Sequence, residues 1–303
     1  VRIVLQLYVR TLGGSANVLA GPRVDRGVFP VLILLPPSEG KAAPGSGDPL
    51  DVASLSLPGL TRARERVLES LVTLCAQADP DQARTVLGLS PGQAGEVLRN
   101  ARLWEAPAAP AGEIYTGVLY DALDLASLSA PAYDLVARSA LVFSGLWGAV
   151  RLGDRIPAYR CSVGVKLPEV GALGAYWKRA MAEALPKALP KALPAAACDG
   201  LVLDLRSSAY VPMWTPRGAA AGRAAVVRVM HERVVNGVPK RSVVSHFNKA
   251  TKGRLVRDLA MAGAEPGTPA ELVAALRDLK YTVEERTAAA GGPRQLDVVV
   301  TEL

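Results

Sequence analysis

Histidine and cysteine are scarce in this sequence, with two histidines and three cysteines in 303 residues. Cys75, Cys161 and Cys198 are far apart, form no C-x-x-C pair, and lie near neither His231 nor His246. That spacing argues against both a structural zinc site and a disulfide framework. It fits a reducing cytoplasm, where isolated thiols behave as small buried hydrophobes, so a cytoplasmic location is expected. Two lone histidines without clustered carboxylates make no facial triad, and neither a metal nor a cofactor is expected. Aromatics are also few. Trp147 and Trp177 sit in apolar surroundings and are assigned to the core rather than to base stacking. No apolar run reaches the roughly eighteen residues that a membrane helix needs. There is no G-x-x-x-x-G-K-[ST] phosphate loop and no recognisable Ser/His/Asp set.

Aliphatic residues are abundant. Half of the chain is hydrophobic, enough for a substantial core and too much for a disordered protein. The net charge of +7 has two readings. It can serve an anionic partner, or it can be a by-product of the Ala/Arg/Gly/Pro bias of a GC-rich coding sequence.

The N-terminal stretch Val1–Val9 is apolar but broken by Arg2 and Gln6, and Gly13–Pro30 has neither a helical nor a strand period. Residues 1–30 are therefore expected to be a poorly ordered or mis-assigned extension, and residues 31–303 one mixed α/β domain. Val31–Leu35 reads as a buried strand stopped by Pro36 and Pro37, and Leu201–Ser208 as another that ends in a polar turn. Leu60–Ala78 carries apolar residues at helical spacing, and the helices Asp81–Gly88 and Pro91–Leu103 meet at LSPG. Leu141–Val150 reads as a buried strand and turn, and Tyr176–Leu185 as helix. AAVVRVMHERVV and SVVSHF are expected to form a hairpin around NGVPK, followed by helices at Thr251–Met261 and Thr268–Leu279. YTVEER and LDVVVTEL are the closing strands. No regular βαβ rhythm runs through these elements, so a mixed sheet is expected and not a Rossmann fold.

Three constellations carry chemistry. In Arg84–Asn100, a turn bearing Gly88, Ser90 and Gly92 joins two helices, with Ser90 as N-cap and Pro91 at the first helical position. Such a turn aims helix-start amides at a phosphate, with Arg84, Arg99 and Arg102 as further contacts; it is equally the shape of an ordinary helical hairpin. From Arg217 to Arg257 ten basic residues face one nearby acid, Glu232, and Lys249, Lys252 and Arg254 fall where a strand is expected to hand over to a helix. The alternative is a solvated charged face. Finally, Ser38, Glu39 and Lys41 follow a strand, Ser207, Ser208 and Tyr210 follow another, and Tyr159 and Arg160 lie on a third loop. Strand carboxyl ends are common ligand addresses. If these loops converge, Lys41 and Arg160 can clamp an anionic small molecule, phosphorylated or nucleotide-like, and Glu39 can act as a base.

The ordered set LLPPSEGK, IYTGVLYDAL, FSGLWGAVRLGDRIPAYRCSVGVKLP, the pair Tyr176–Trp177, LVLDLRSSAY and SHFNKATKGRLVRDLA resembles the YaaA (peroxide stress) family across Val31–Leu279. Two segments depart from its pattern: PPSEGK stands where many relatives carry SPAK-T, and Phe247, Asn248 and Lys249 where many carry Tyr-Ala-Lys-Lys. The resemblance implies a mixed α/β fold of the family's own type, with a positively charged cleft and a helix-hairpin-helix. It also implies binding of double-stranded or structured DNA and a part in limiting iron-linked oxidative damage. Gly88, Ser90, Gly92, Arg84, Arg99, Lys249, Lys252 and Arg254 are then the expected DNA contacts. The competing expectation is an enzyme or ligand-binding protein, recruited to a biosynthetic pathway, that uses the Ser38, Tyr159 and Ser207 loops.

Overall fold

A computed structural model describes residues 31–192, 199–286 and 291–301. The expected extension 1–30 and Cys198 lie outside the described residues.

The five aliphatic side chains of β1 (Val31–Leu35) are all buried, as a strand covered on both faces requires. β1 lies between two parallel neighbours, β2 (Ala140–Ser144) with Ile33 opposite Ala140, and β4 (Leu201–Asp204) with Leu32 opposite Val202. Beyond β4 follow β5 (Ala224–Val235), parallel to β4, and β8 (Arg294–Val300), parallel to β5. Antiparallel strands close the edges: β3 (Gly148–Val150) on β2 and β7 (Thr282–Arg286) on β8, with β6 (Val238–Ser242) folded back on β5. The sheet is mixed, as expected, with order β7-β8-β5-β4-β1-β2-β3.

The five parallel strands, counted alone, run 2-1-3-4-5. This is a doubly wound order with a switch point between β1 and β4, although it is not the 3-2-1-4-5-6 order of a Rossmann sheet. The sequence hides this rhythm because residues 36–139, holding five α-helices of six residues or more and the short helical turn Ala111–Ile114, intervene between the first two parallel strands. Of these, α1 (Thr61–Gln77) buries Val67, Leu68, Leu71, Leu74 and Cys75 at helical spacing. Arg64 ties α1 to the β3 end of the sheet, its Nε on the Trp147 carbonyl at 3.0 Å and its Nη2 on that of Ala149 at 2.6 Å. α2 (Pro80–Val86), α3 (Ala94–Ala101), α4 (Val118–Leu123) and α5 (Ala130–Ser139) complete the insertion. α6 (Leu173–Ala192) leads to β4, and α7 (Ser245–Met261) and α8 (Pro269–Asp278) lie between β6 and β7. Trp147 and Trp177 are fully buried core residues.

The hairpin differs from its expected form. Asn236 and Gly237, both at positive φ (55° and 77°), close it with a two-residue turn. The returning strand is therefore VPKRS, and SHF opens α7, where Phe247 stacks on His231 with centroids 4.3 Å apart.

Candidate functional site at the sheet switch point

The loops leaving the carboxyl ends of β1 and β4 meet the 159–163 segment at the switch point, where open α/β sheets place ligands. Glu39 and Arg160 form an ion pair of 2.8 Å, and the guanidinium also donates to the Glu39 carbonyl at 3.1 Å. Asn100 fixes the Arg160 backbone from both sides. Its Nδ2 donates to the Arg160 carbonyl at 2.7 Å, and its Oδ1 accepts from the Arg160 N–H at 2.9 Å. Buried Asn100 is the polar tooth of α3, so this helix positions the site.

Lys41 points its ammonium at two phenol rings, 4.2 Å from the Tyr159 centroid and 5.6 Å from that of Tyr115, and donates to the Ser38 carbonyl at 2.8 Å. Burial lowers its pKa to about 8, with the Glu39 carboxylate pulling the other way and Arg160 adding to the drop. Ser38 Oγ donates to the Gly40 carbonyl and accepts from the Thr116 N–H at 3.1 Å, which pins the loop to the 115–117 segment. Behind the rings runs a hydroxyl chain. Ser144 Oγ accepts from the N–H groups of Leu146 (3.1 Å) and Trp147 (3.0 Å), so its own proton goes to Tyr159 Oη at 2.6 Å. The Tyr159 proton then goes to Tyr115 Oη at 3.0 Å. Burial raises the pKa of both phenols, which keeps them protonated and the chain intact. Cys161, also buried, has its thiol pushed up to about 12 and is a poor nucleophile.

Under the β4 loop lies a buried pair. Arg206 grips Asp204 with Nε to Oδ1 at 2.9 Å and Nη2 to Oδ2 at 2.6 Å, and its guanidinium lies 4.3 Å from the Phe143 ring centroid. Lys252 reaches in from α7 to donate to the Leu205 carbonyl at 3.0 Å.

The sequence candidates thus separate. Ser38, Glu39, Lys41, Tyr159 and Arg160 form one constellation, while Ser207 and Ser208 are exposed on the adjoining β4 loop. Lys252 is corrected. It was expected beside Lys249 and Arg254 on one basic turn, but all three lie inside α7, and Lys252 alone is buried, its cation spent on main-chain carbonyls. Ser90 is the N-cap of its turn, as expected, with Pro91 at the first position and a capping box to Gln93. Its hydroxyl donates to Gln93 Oε1, which also accepts the Ser90 N–H. Arg84 and Arg99 pair within their own helices with Asp81 (3.1 Å) and Glu96 (2.6 Å). The basic stretch is also more neutralised than its sequence suggests, because distant acids reach it: Asp297 pairs with Arg228, Glu284 with Arg241, and Asp124 with Arg257. Arg217, Arg233, Lys240, Lys249 and Arg254 stay exposed with no ion pair among the described residues. Tyr115, Ser144, Asn100 and the Asp204–Arg206 pair were not anticipated as site residues. Only the last had a readable signal, since a D-x-R spacing on a strand puts both side chains on one face.

The order of these loops and the residues they carry can be compared with known proteins. A family model described as "Peroxide stress protein YaaA" matches residues 31–287. The chain belongs to that family. A UPF0246 protein of Streptomyces coelicolor is 63% identical over 90% of this chain and 100% of its own length. A Corynebacterium efficiens UPF0246 protein is 42% identical over 84% and 95%, and one from Idiomarina loihiensis 28% over 66% and 78%. The stretch matched by the YaaA model takes in every loop of the switch-point site, the β5–β6 hairpin and α7. Among the described residues no helix is long and apolar enough to cross a membrane, and no three His, Cys, Asp or Glu side chains are placed to share a metal ion.

Proposed function

We propose that this YaaA-family chain acts in peroxide stress by binding double-stranded or structured DNA, with the β5–β6 hairpin and the exposed cations of α7 as the contact surface. The observation that carries this reading is a like-charge pair. Arg233 and Lys240 stand directly opposite each other on one face of the hairpin, and neither has an acidic partner among the described residues. Like charges placed so destabilise a sheet, and a phosphate anion removes that cost. A two-stranded ribbon also fits the major groove of duplex DNA. Lys249 and Arg254 extend the basic surface along α7, which is anchored to the hairpin through the Phe247–His231 stack. The turn at Gly88, Ser90 and Gly92 supports a lesser helix-hairpin-helix contact. Its flanking Arg84 and Arg99 sit in exposed ion pairs, which a phosphate replaces at little cost.

The test is fluorescence anisotropy of labelled duplex and branched DNA across a salt series. Affinity is expected to fall linearly on log–log axes, and Arg233→Gln with Lys240→Gln should flatten the slope by about 1.8, at roughly 0.9 per phosphate contact. An unchanged slope removes the hairpin from the interface, and no binding at low salt removes the DNA reading.

A second reading is favoured by the Lys41–Arg160 constellation, two cations at a sheet switch point beside the Ser38 and Ser207 loops. Here the site takes a small anionic ligand, phosphorylated or nucleotide-like. Inorganic phosphate or pyrophosphate should raise the melting temperature of the wild type and not that of Arg160→Gln.

A further inference from the structure

We propose that Lys41 captures a small aldehyde bearing an anionic group, forming an imine at Nζ while Arg160 holds the anion. This rests on the second reading above, since it needs the anion site at the switch point.

The geometry is that of a fixed amine. The Lys41 main chain is held by its bridge to Tyr115 and by the Ala42 N–H on the Ile114 carbonyl at 2.9 Å. Among the described residues its Nζ has one hydrogen-bond acceptor, the Ser38 carbonyl, and it faces the Tyr159 and Tyr115 rings. Those rings are locked from behind by the Ser144–Tyr159–Tyr115 hydroxyl chain. Apolar ring faces keep water from the nitrogen, which disfavours hydrolysis of an imine formed there. Beside it, Arg160 is clamped at the backbone by Asn100, while its carboxylate partner Glu39 has a side chain 59% exposed. An ion pair so exposed is weak, and a ligand carboxylate or phosphate can take the place of Glu39.

The charged and titratable groups around Lys41 are Glu39, Arg160, Cys161 and Glu96, with the phenols of Tyr115 and Tyr159. Burial dominates and brings the amine to about 8, so about half of it is neutral at pH 8. An ordinary exposed lysine is neutral to roughly 0.3% there.

The chemistry balances without a further reactant. The Nζ lone pair attacks the carbonyl carbon, the C–N bond forms, and the carbonyl π pair moves to oxygen, which takes a proton as nitrogen gives one up. The hydroxyl of the resulting carbinolamine takes up a proton and leaves as water while the nitrogen lone pair forms C=N, and the nitrogen then gives up its remaining proton. Amine and aldehyde thus give imine and water.

The experiment uses the full chain at pH 8 with three probes: glyoxylate (aldehyde and carboxylate), propanal (aldehyde alone) and glycolate (anion alone). Cyanoborohydride reduces any imine, and peptide mass mapping locates the adduct. Glyoxylate should label Lys41 at a concentration at least about tenfold below that needed for exposed Lys240 or Lys249. Arg160→Gln should erase the preference for glyoxylate over propanal, and Lys41→Arg should remove the label with the fold intact by circular dichroism. Labelling of Lys41 no greater than that of Lys240, or a glyoxylate preference that survives in Arg160→Gln, overturns the proposal. If glycolate raises the melting temperature through Arg160 but Lys41 is not labelled, the imine falls and the anion site stands. If neither glycolate nor phosphate has any effect and Lys41 is not labelled, both fall.

Discussion

At the scale of single residues, position inside the helix decides what a lysine does. Lys249 and Lys252 share α7 and look alike in sequence, yet one is exposed and the other gives its cation to the Leu205 and Arg206 carbonyls. Lys252→Met should cost about 1–3 kcal/mol, because it leaves buried carbonyls unpaired. The pH dependence has a definite sign. Burial sets the folded pKa at about 8, below the ordinary lysine value of 10.5, so the unfolded chain binds more protons between those limits. Wild-type stability therefore gains from Lys252 as pH rises through that window, and the gap to Lys252→Met should widen from pH 8 to 10 in urea melts. A constant gap would mean that the amine is not desolvated. Sequence could not separate the two lysines, because α7 buries Ala250, Thr251, Lys252, Gly253, Leu255 and Val256, an almost unbroken run with no polar face to mark the phase. The same limit hid Tyr115 and Asn100, whose roles depend on partners 44 and 60 residues away.

Elements were more legible, since their signals are local. The all-aliphatic β1, the 3.6-residue stripe of α1 and the helix expected from Thr268 could be read directly from the chain. The start of α7 could not, because the stacking of Phe247 on His231 joins two separate elements. What holds α7 in place is close approach. A Cβ on Gly253 would lie 2.0 Å from the Leu119 carbonyl oxygen and 3.0 Å from the Leu123 nitrogen, both of them backbone atoms that cannot turn aside. Gly253→Ala should thus lose about 3 kcal/mol or more and lower the melting temperature sharply. Gly92 has nothing within 4 Å and a φ outside the positive range, so Gly92→Ala should leave stability within about 1 kcal/mol of wild type. The pair gives a control for the helix-hairpin-helix contact. A loss of DNA affinity in Gly92→Ala at unchanged stability would show the turn approaching phosphate, and equal affinity would remove it.

At the scale of the whole molecule, the hairpin and the switch-point loops leave the carboxyl ends of parallel strands in one sheet. β5 runs parallel to β4, and after Val226, opposite Asp204, it continues to Val235. At about 3.3 Å per residue the hairpin rises about 30 Å past the carboxyl end of β4, where Lys41 and Arg160 sit. In the sheet, β5 is separated from β1 by β4 alone, a lateral distance of about 10 Å. The hairpin thus stands beside the strand ends that carry the switch-point loops, and on the proposed DNA reading a duplex seated on Arg233 and Lys240 would extend over Lys41. Saturating duplex at low salt should accordingly suppress glyoxylate labelling of Lys41 while leaving that of lysines far from the edge, such as Lys178, unchanged. The suppression should disappear in Arg233→Gln with Lys240→Gln, which keeps the amine but loses the duplex. Undiminished labelling with DNA fully bound would place the duplex on another face and make the hairpin cations and the switch-point amine independent devices of one fold.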